Sequence, residues 1–400
     1  MTQALIIEAL RSPRGRGNDK GALRGLRPLE LLAGQLHALT ERTGVDSAAI
    51  EDVLIGCVSQ TGEQGANIAK MAVLQARWSD AVPAISINRY CASGLSAVQM
   101  AAQQALAADG LAVGGGVEMM SRVPMASDQG PLTHDRQLQQ ERQLVSIGLA
   151  ADTVASLEGF SRQQCDDYAL ASQQRALAAR EGGYFRSVVP VLAADGSVLL
   201  ERDETPRPQT SAQSLAQLEP AFAAMGAKYG IDDLLCQRYG LKAITHVQHA
   251  GNSPAMADGA AAVLLASPAA AKRLGLRARG RILACADASV DRTLALTGAV
   301  DASRKALARA GLFVTDIDLF EINESFAALM LHYMRHLQVP HDRINVNGGA
   351  IALGHAMGAT GAMLVGTALD ELERSGQQRA LVALCGAAGL AVAMVIERLP

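Results

Sequence analysis

The chain is poor in aromatic residues, which make up 3% of its 400 positions, with a single Trp. A core built on large rings is therefore excluded. The filling must come from aliphatic side chains and from the abundant Ala and Gly, small residues that let helices and sheets approach closely. Net charge is also scarce: 36 Lys and Arg stand against 39 Asp and Glu, a formal balance of -3. No basic footprint for nucleic acid exists. No apolar run reaches membrane-spanning length. The opening "MTQALIIEALRSPRGRG" is too short in apolar residues for a secretory signal, and the ending "IERLP" is not a peroxisomal address. A cytoplasmic protein with no membrane partner is expected. Cysteine pairs are missing too. Cys57, Cys91, Cys165, Cys236, Cys285 and Cys385 are scattered with no CxxC, which excludes a disulfide framework and a structural zinc site. Cys57, Cys165, Cys236 and Cys285 read as small buried hydrophobes.

What is present is 49% hydrophobic sequence, enough for a large core and, by size, two or three domains. "ALIIEAL" reads as a first strand ended by the turn "SPRG", and "PLELLAGQLHALTERTG" as an amphipathic helix. "DVLIGCV" and "VPAISIN" are strands with the helix "NIAKMAVLQARW" between them. From about 121 to 248 the chain turns polar and proline-dotted, as in "ERDETPRPQTSAQS", with interspersed helices such as "RQQCDDYALASQQRALAAR". This stretch reads as a loop domain inserted into the core. "DGAAAVLLAS" and "RGRILACADAS" resume the core strands. "ASRKALARAG", "DIDLFEIN" and "ESFAALMLHYMRHL" then repeat helix, strand, helix.

Two stretches share one plan. "VPAISIN" leads into Cys91, and "NVNGGAIAL" leads into His355. Each reactive side chain is followed by a helix of small and apolar residues, a polar turn, and an apolar strand that enters glycine ("LAVGGG", "ALVALCG"). The helix after Cys91 has no Lys, Arg or Glu for about seventeen residues, so it is expected to be buried on all sides. Two related α/β halves follow, residues 1–268 and 269–400, with their buried helices side by side between two sheets. Their N-termini would bring Cys91 and His355 together. A thiolate at a helix N-terminus is stabilised, which lowers its pKa, and a neighbouring imidazole can take its proton.

Six ordered blocks, "NRYCASGLSAVQMAA", "GGVEMMSR", "HAGNSPAMADGAAAVL", "EINESFAAL", "NVNGGAIALGHAMGATGA" and "LCGAAGLAVAMVIE", resemble the successive signatures of the thiolases over nearly the whole chain. The resemblance implies a five-layered, duplicated αβαβα fold with an inserted loop domain, in a homodimer or homotetramer. It implies coenzyme A and acyl-CoA as substrates, with no permanently bound cofactor and no metal. The family's acyl-carrying nucleophile falls on Cys91, its activating histidine on His355, its acid/base cysteine on Cys385, and the asparagine that holds a water in an oxyanion hole on Asn323. A second hole would use the backbone N–H groups of Cys91 and Ala387. Arg207 and Ser214 align near the CoA adenine. Ser253 is the candidate nearest the pantetheine, because the family's usual serine position is Pro254 here.

Some positions depart from the short-chain biosynthetic pattern. Ser146 and Ile147 replace a His-Met pair, Ala295 replaces a Met, and the stretch around "YGIDDLLCQRYGLKAITHV" is inserted. These departures lean toward degradative thiolases that accept longer or bulkier 3-oxoacyl groups. Thr360 stands for Ser, Ala356 for Pro, and Ala387 and Ala388 for glycines. If a positive φ is needed there, alanine strains the loop. His246 and His249 read as structural, since their spacing is loose and no carboxylate or thiolate accompanies them. Gly115 and Gly116 read as sites of close backbone packing. Asn323 and Glu324 would otherwise cap the helix that follows them. Two other readings stay open: a β-ketoacyl synthase-like condensing enzyme, and a thiolase-like protein that binds acyl-CoA or lipid without turnover.

Overall fold

The computed structural model describes residues 3–400. The first half runs β1 (Leu5–Arg11), α1 (Pro28–Thr43), β2 (Ile50–Gly56), α2 (Ile68–Gln75), β3 (Ala84–Ile87), α3 (Ser93–Ala107) and β4 (Leu111–Met119). The chain then leaves the sheet for a long excursion that includes α4 (Ile147–Glu158) and α5 (Arg162–Glu181), and returns as β5 (Ala257–Ala266). The second half runs β6 (Gly280–Ser289), α6 (Gly298–Ala310), β7 (Leu319–Ile322), α7 (Ala327–Leu337), α8 (Met357–Ser375), β8 (Arg379–Cys385) and β9 (Leu390–Arg398).

The two halves have one topology. In the first, the strand order is β3-β2-β4-β5-β1, with β2 parallel to β3 and β4 and the remaining pairs antiparallel. In the second, β7 pairs parallel with β8, and β8-β9-β6 continues antiparallel. The counterpart of β3 has shrunk to one parallel bridge, Phe320 to Ile344. Among the described residues, the two-residue strand Gly15–Arg16 also pairs with β5, and the halves join into one ten-stranded sheet through the paired residues Leu5–Arg281 and Ile6–Gly280. A seam this short lets the two units fold over one another.

Strand alternation sets the layers. In β9, Val392, Met394 and Ile396 face the central helices, while Ala391, Ala393 and Val395 pack outward with α6. In β5, Ala261, Val263 and Leu265 face the centre, while Ala260, Ala262 and Leu264 pack against the Leu31, Leu32, Leu36 and Leu39 stripe of α1. Two-residue periodicity buries both faces of each sheet, which requires helices on both sides. The result is α, β, α, β, α, with α3 and α8 as the shared middle layer.

Two expectations about helices need correction. The helix after Cys91 is not buried all round: Met100 is 39% exposed and Gln103 and Gln104 are exposed, so only its first turns are enclosed. Its counterpart α8 is buried continuously from Met357 to Leu372. The helix of "ESFAALML" starts at Ala327 with extended Phe326 as its N-cap, and no side chain caps it. Glu324 is drawn away instead, accepting hydrogen bonds from Tyr168 Oη (2.9 Å), Ser172 Oγ (2.7 Å) and Ile351 N (2.9 Å).

Candidate active site

Where α3 and α8 begin, the two helices are nearly in backbone contact. A Cβ on Gly94 would lie 2.6 Å from the carbonyl oxygen of Gly358, and one on Gly116 would lie 2.1 Å from it. Gly116 is thus a close-packing glycine, as is Gly115, whose added Cβ would meet Ala261 O at 2.3 Å. Cys91 precedes Gly94, and His355 precedes Gly358, by the same three residues. The crossing therefore brings the segments that carry Cys91 and His355 close together.

The turn that presents Cys91 is held locally. Tyr90 takes φ 48, its N–H donates to Asn88 Oδ1 (2.8 Å), and Ser93 Oγ accepts from Arg89 N (2.7 Å). Arg89 itself reaches Asp287 Oδ1 at 2.8 Å, tying the turn to the second half. His355 follows Gly354, which takes φ 85. Its N–H donates to Ala255 O (2.8 Å), and its Nδ1 shares a hydrogen bond with Thr360 Oγ1 (2.9 Å). Threonine thus keeps the hydroxyl that serine would supply. His355 Nε2 is buried and has no protein partner. Cys385, the last residue of β8, donates its S–H to Leu296 O at 2.7 Å. A Cβ on the next residue, Gly386, would lie 3.0 Å from Arg89 O, so the Cys385 strand end abuts the Cys91 turn.

Burial governs the charge states. It pushes the Cys91 thiol up to about 12, helped by Glu118 and Cys385, and the Cys385 thiol up to about 12. His355 is held down to about 4, by burial and then by the Arg14 guanidinium. The expected lowering of the Cys91 pKa is not found, and magnitudes explain why. Raising a thiol from its ordinary value to about 12 corresponds to about 4 kcal/mol, against about 0.3–2 kcal/mol from a helix N-terminus. Moreover α3 starts at Ser93, so Cys91 lies outside its first turn. At neutral pH the Cys91 thiol and the His355 imidazole are therefore both uncharged.

Two family models match most of the chain. Residues 4–229 match the thiolase N-terminal domain and residues 276–398 the thiolase C-terminal domain. The chain belongs to the thiolase family. It is 40% identical to a 3-ketoacyl-CoA thiolase of Serratia proteamaculans, with all of both chains covered. It is 38% identical to a beta-ketoadipyl-CoA thiolase of Pseudomonas aeruginosa, with 99% of each covered. The Bacillus anthracis acetyl-CoA acetyltransferase structure superposes with a TM-score of 0.85 at 32% identity, covering 100% of this chain and 99% of that one. The thiolase is an acyltransferase, and acyl-CoA thioesters are the substrates its family uses. Among the described residues, no single helix is long and apolar enough to cross a membrane.

Other thiolase positions are placed unevenly. Asn323, at the end of β7, is buried, donates to Ser325 Oγ (3.2 Å), and leaves Oδ1 without a protein partner. Ser253 Oγ is likewise unpartnered. Arg207 is exposed and reaches Gly251 O at 3.5 Å, which sets it beside the Ser253 segment. Ser214 is different: its hydroxyl closes a capping box with Ser211 and donates to Ser211 O (2.9 Å). Ala387 and Cys91 each hold an N–H that, among the described residues, makes no hydrogen bond of ordinary geometry to another residue. Ala388 does take φ 58, so the alanine carries the strain that glycine would avoid, about 1–2 kcal/mol. Ala295 is buried in the cluster that holds Leu296, Ala299 and Phe326, and Ile147 packs against that cluster. Half-buried Ser146 stands at the start of α4, without a capping bond.

His246 and His249 are structural, but the reason differs from the one expected. Each has carboxylate partners of its own: His246 contacts Asp152 (2.8 Å) and Asp232 (3.1 Å), and His249 contacts Asp166 (2.7 Å). Cys57 and Cys165 are buried, whereas Cys236 and Cys285 are only half-buried.

Two features escaped sequence reasoning. Glu118 is fully buried and accepts from Val58 N, Ser59 N, Gln64 Nε2 and Gly358 N at 2.8–3.1 Å. It anchors the α8 N-terminus beneath Cys91; its only signal was an acid inside the apolar run "AVGGGVEMM". The second is a clamp. Arg238 and Tyr239 bond Asp291 at 3.0–3.3 Å, and Asp291 O accepts from Ala295 N (2.9 Å). The inserted segment thereby fixes the turn whose Leu296 carbonyl holds Cys385.

Proposed function

We propose that this thiolase cleaves 3-oxoacyl-CoA thiolytically to acetyl-CoA and a shortened acyl-CoA through an acyl group on Cys91, and that the same site runs the reverse condensation. The observation that carries this reading is the glycine crossing, which sets a thiol and a neutral imidazole with a free Nε2 at matching helix starts, with a second thiol alongside.

The steps follow from the charge states. Cys91 is neutral, so His355 Nε2 takes its proton as sulfur attacks the 3-keto carbon. Nδ1–H donating to Thr360 Oγ1 leaves Nε2 free for that proton. The alkoxide is met by the N–H groups of Cys91 and Ala387; losing one such donor typically costs about 2.7–4 kcal/mol. Collapse breaks the bond between the α and β carbons and releases the acetyl-CoA enolate. Its oxygen is held by the new His355 Nε2–H and by a water on Asn323 Oδ1. Cys385 gives its proton to the α carbon and regains one from His355, whose low pKa makes imidazolium short-lived. Coenzyme A then attacks the acyl thioester, its thiol proton passes to His355, and that proton returns to Cys91 sulfur as the acyl bond breaks.

Arg207 would stack on the adenine and Ser253 would bond the pantetheine. Ser214 is the weakest member of that set, its hydroxyl being engaged in its own helix. Ser146, Ile147 and Ala295 would line the acyl end and favour longer or bulkier 3-oxoacyl groups. We also propose the division into 1–268 and 269–400, a cytoplasmic location, and a homo-oligomer. The unpaired edge of β3 supports the last, since exposed Ile85 sits on it and exposed Met71, Leu74 and Met100 lie on the helices before and after it. Ile85→Lys should shift the mass in sedimentation toward the monomer; an unchanged mass would reject this edge as the interface.

The test of function is a thiolysis assay across acyl lengths, following loss of the magnesium–3-oxoacyl-CoA absorbance, with mass spectrometry of the acyl-enzyme. Thiolysis by free CoA and an adduct on Cys91 support the reading. Transfer only to a carrier protein would favour the condensing-enzyme alternative, and no adduct would favour a binding protein.

A further inference from the structure

On the far side of the second half, α4 ends against the outer face of α7. There Glu158 Oε1 receives two imidazoles at once: His332 Nδ1 at 2.9 Å and His336 Nε2 at 2.7 Å. The histidines are four residues apart on α7, so they share a face, and their rings lie 4.1 Å apart between centroids. The three donor atoms lie within 4.8 Å of one another. Glu158 and His332 are mostly enclosed, with side chains 17% and 13% exposed, and His336 opens to solvent at 39%.

We propose that Glu158, His332 and His336 form a binding site for a borderline divalent cation such as zinc, which staples the inserted segment to the second half. Two imidazoles and one carboxylate are a zinc-type donor set, with bonds of about 2.0–2.2 Å. Tetrahedral bonds of that length need donors roughly 3.3 Å apart, so the two Glu158–histidine spacings open by about 0.5 Å on loading. The neutral imidazoles simply turn their ring protons outward, to the other nitrogen. The fourth position falls on the open side, beside His336, and belongs to water.

The surrounding charges narrow the choice of ion. Arg335 occupies the other carboxylate oxygen (2.7 Å) and Glu158 O (2.7 Å), and stacks on Phe160 at 4.2 Å. Arg304 reaches His336 O at 2.8 Å. With two guanidinium groups nearby, a hard ion held by charge alone is disfavoured. Calcium and magnesium also want more oxygens than the single free one here. Nitrogen-preferring zinc, cobalt or nickel fit.

Position gives the site its consequence. Glu158 closes α4, and Ile147 opens it. A bound ion would hold one end of the helix whose other end is proposed to meet the acyl chain. Binding itself does not depend on that reading, so the test uses metal content rather than turnover.

Chelator-treated wild type and the His332→Ala/His336→Ala variant are dialysed against zinc, and bound metal is counted per chain. One ion on the wild type and none on the variant is expected, with a zinc-dependent rise in Tm only in the wild type. Equal stoichiometry in both, or no ion on the wild type, overturns the proposal. Cobalt(II) binding to the wild type keeps the question decidable should the variant fail to fold. Ligand-field bands without sulfur charge transfer support the site, and a sulfur-to-cobalt band would assign the ion to cysteines and refute it.

Discussion

The two halves share strand order and helix placement, yet they finish the same plan differently. The first ends its sheet in β3, an open edge with Ile85 exposed. In the second, the corresponding edge has dwindled to Ile344, which is buried and whose carbonyl accepts from Arg175 of α5 at 2.9 Å. The central helices differ in parallel. α3 shows Met100 and two glutamines to solvent, while α8 is enclosed for four turns. A duplicated fold thus keeps its layers and varies its edges, leaving one side open and covering the other with the inserted segment. The proposed chemistry is divided the same way. The first half contributes Cys91, and the second contributes His355, Cys385 and Asn323.

Removing the first half's contribution should have the largest effect. With Cys91→Ala we expect no acyl adduct by mass spectrometry and no thiolysis. Cys385→Ser should leave acyl exchange on Cys91 while slowing proton exchange at the α carbon by about 10²–10⁴-fold. An adduct found on Cys385 instead would reverse the division of labour.

A smaller effect concerns pH. Buried His355 has a folded pKa of about 4, below its unfolded value of about 6.5. Between those values the unfolded chain binds more protons, so stability falls as pH drops from 6.5 toward 4. The full loss from this group is about 3 kcal/mol. His355→Gln should remove that part of the slope in urea unfolding between pH 6.5 and 4. A slope unchanged in the variant would place the pH sensitivity elsewhere, for example in the buried carboxylates.

Thr360 offers a finer test of the second half. Thr360→Ser should keep kcat within a few-fold, because the Nδ1 hydrogen bond survives. Thr360→Val should lower it by about 10–100-fold, the cost of a misoriented imidazole being about 1.4–2.7 kcal/mol. Equal rates for the two variants would show that packing, and not the hydroxyl, orients His355.

The smallest expected effect lies where the inserted segment meets the second half. Ala295→Met adds a thioether to a buried turn, and overpacking costs about 1–3 kcal/mol where space is short. It should penalise six- to eight-carbon 3-oxoacyl-CoAs several-fold in kcat/KM and spare acetoacetyl-CoA. An unchanged length profile in a folded variant would remove Ala295 from the acyl pocket.

Periodicity in the sequence was sufficient for most strands and helices, because each sheet buries both faces and each outer helix buries one stripe. The repeat of reactive residue, small-residue helix and apolar strand was likewise legible. The approach of the two helix starts rests on Gly94, Gly116 and Gly358, since only glycine allows the backbones to meet there. Other properties arise only in three dimensions. The Cys91 pKa depends on how much water the folded layers exclude and on Glu118 beneath it. The start of α7 depends on what draws Glu324 away. Ser214 has a suitable hydroxyl, but its own helix uses it. The cluster of Glu158 with His332 and His336 joins residues more than 170 positions apart. Local sequence sets which face of an element is apolar; burial, charge state and long-range partners depend on distances that only the packed chain defines.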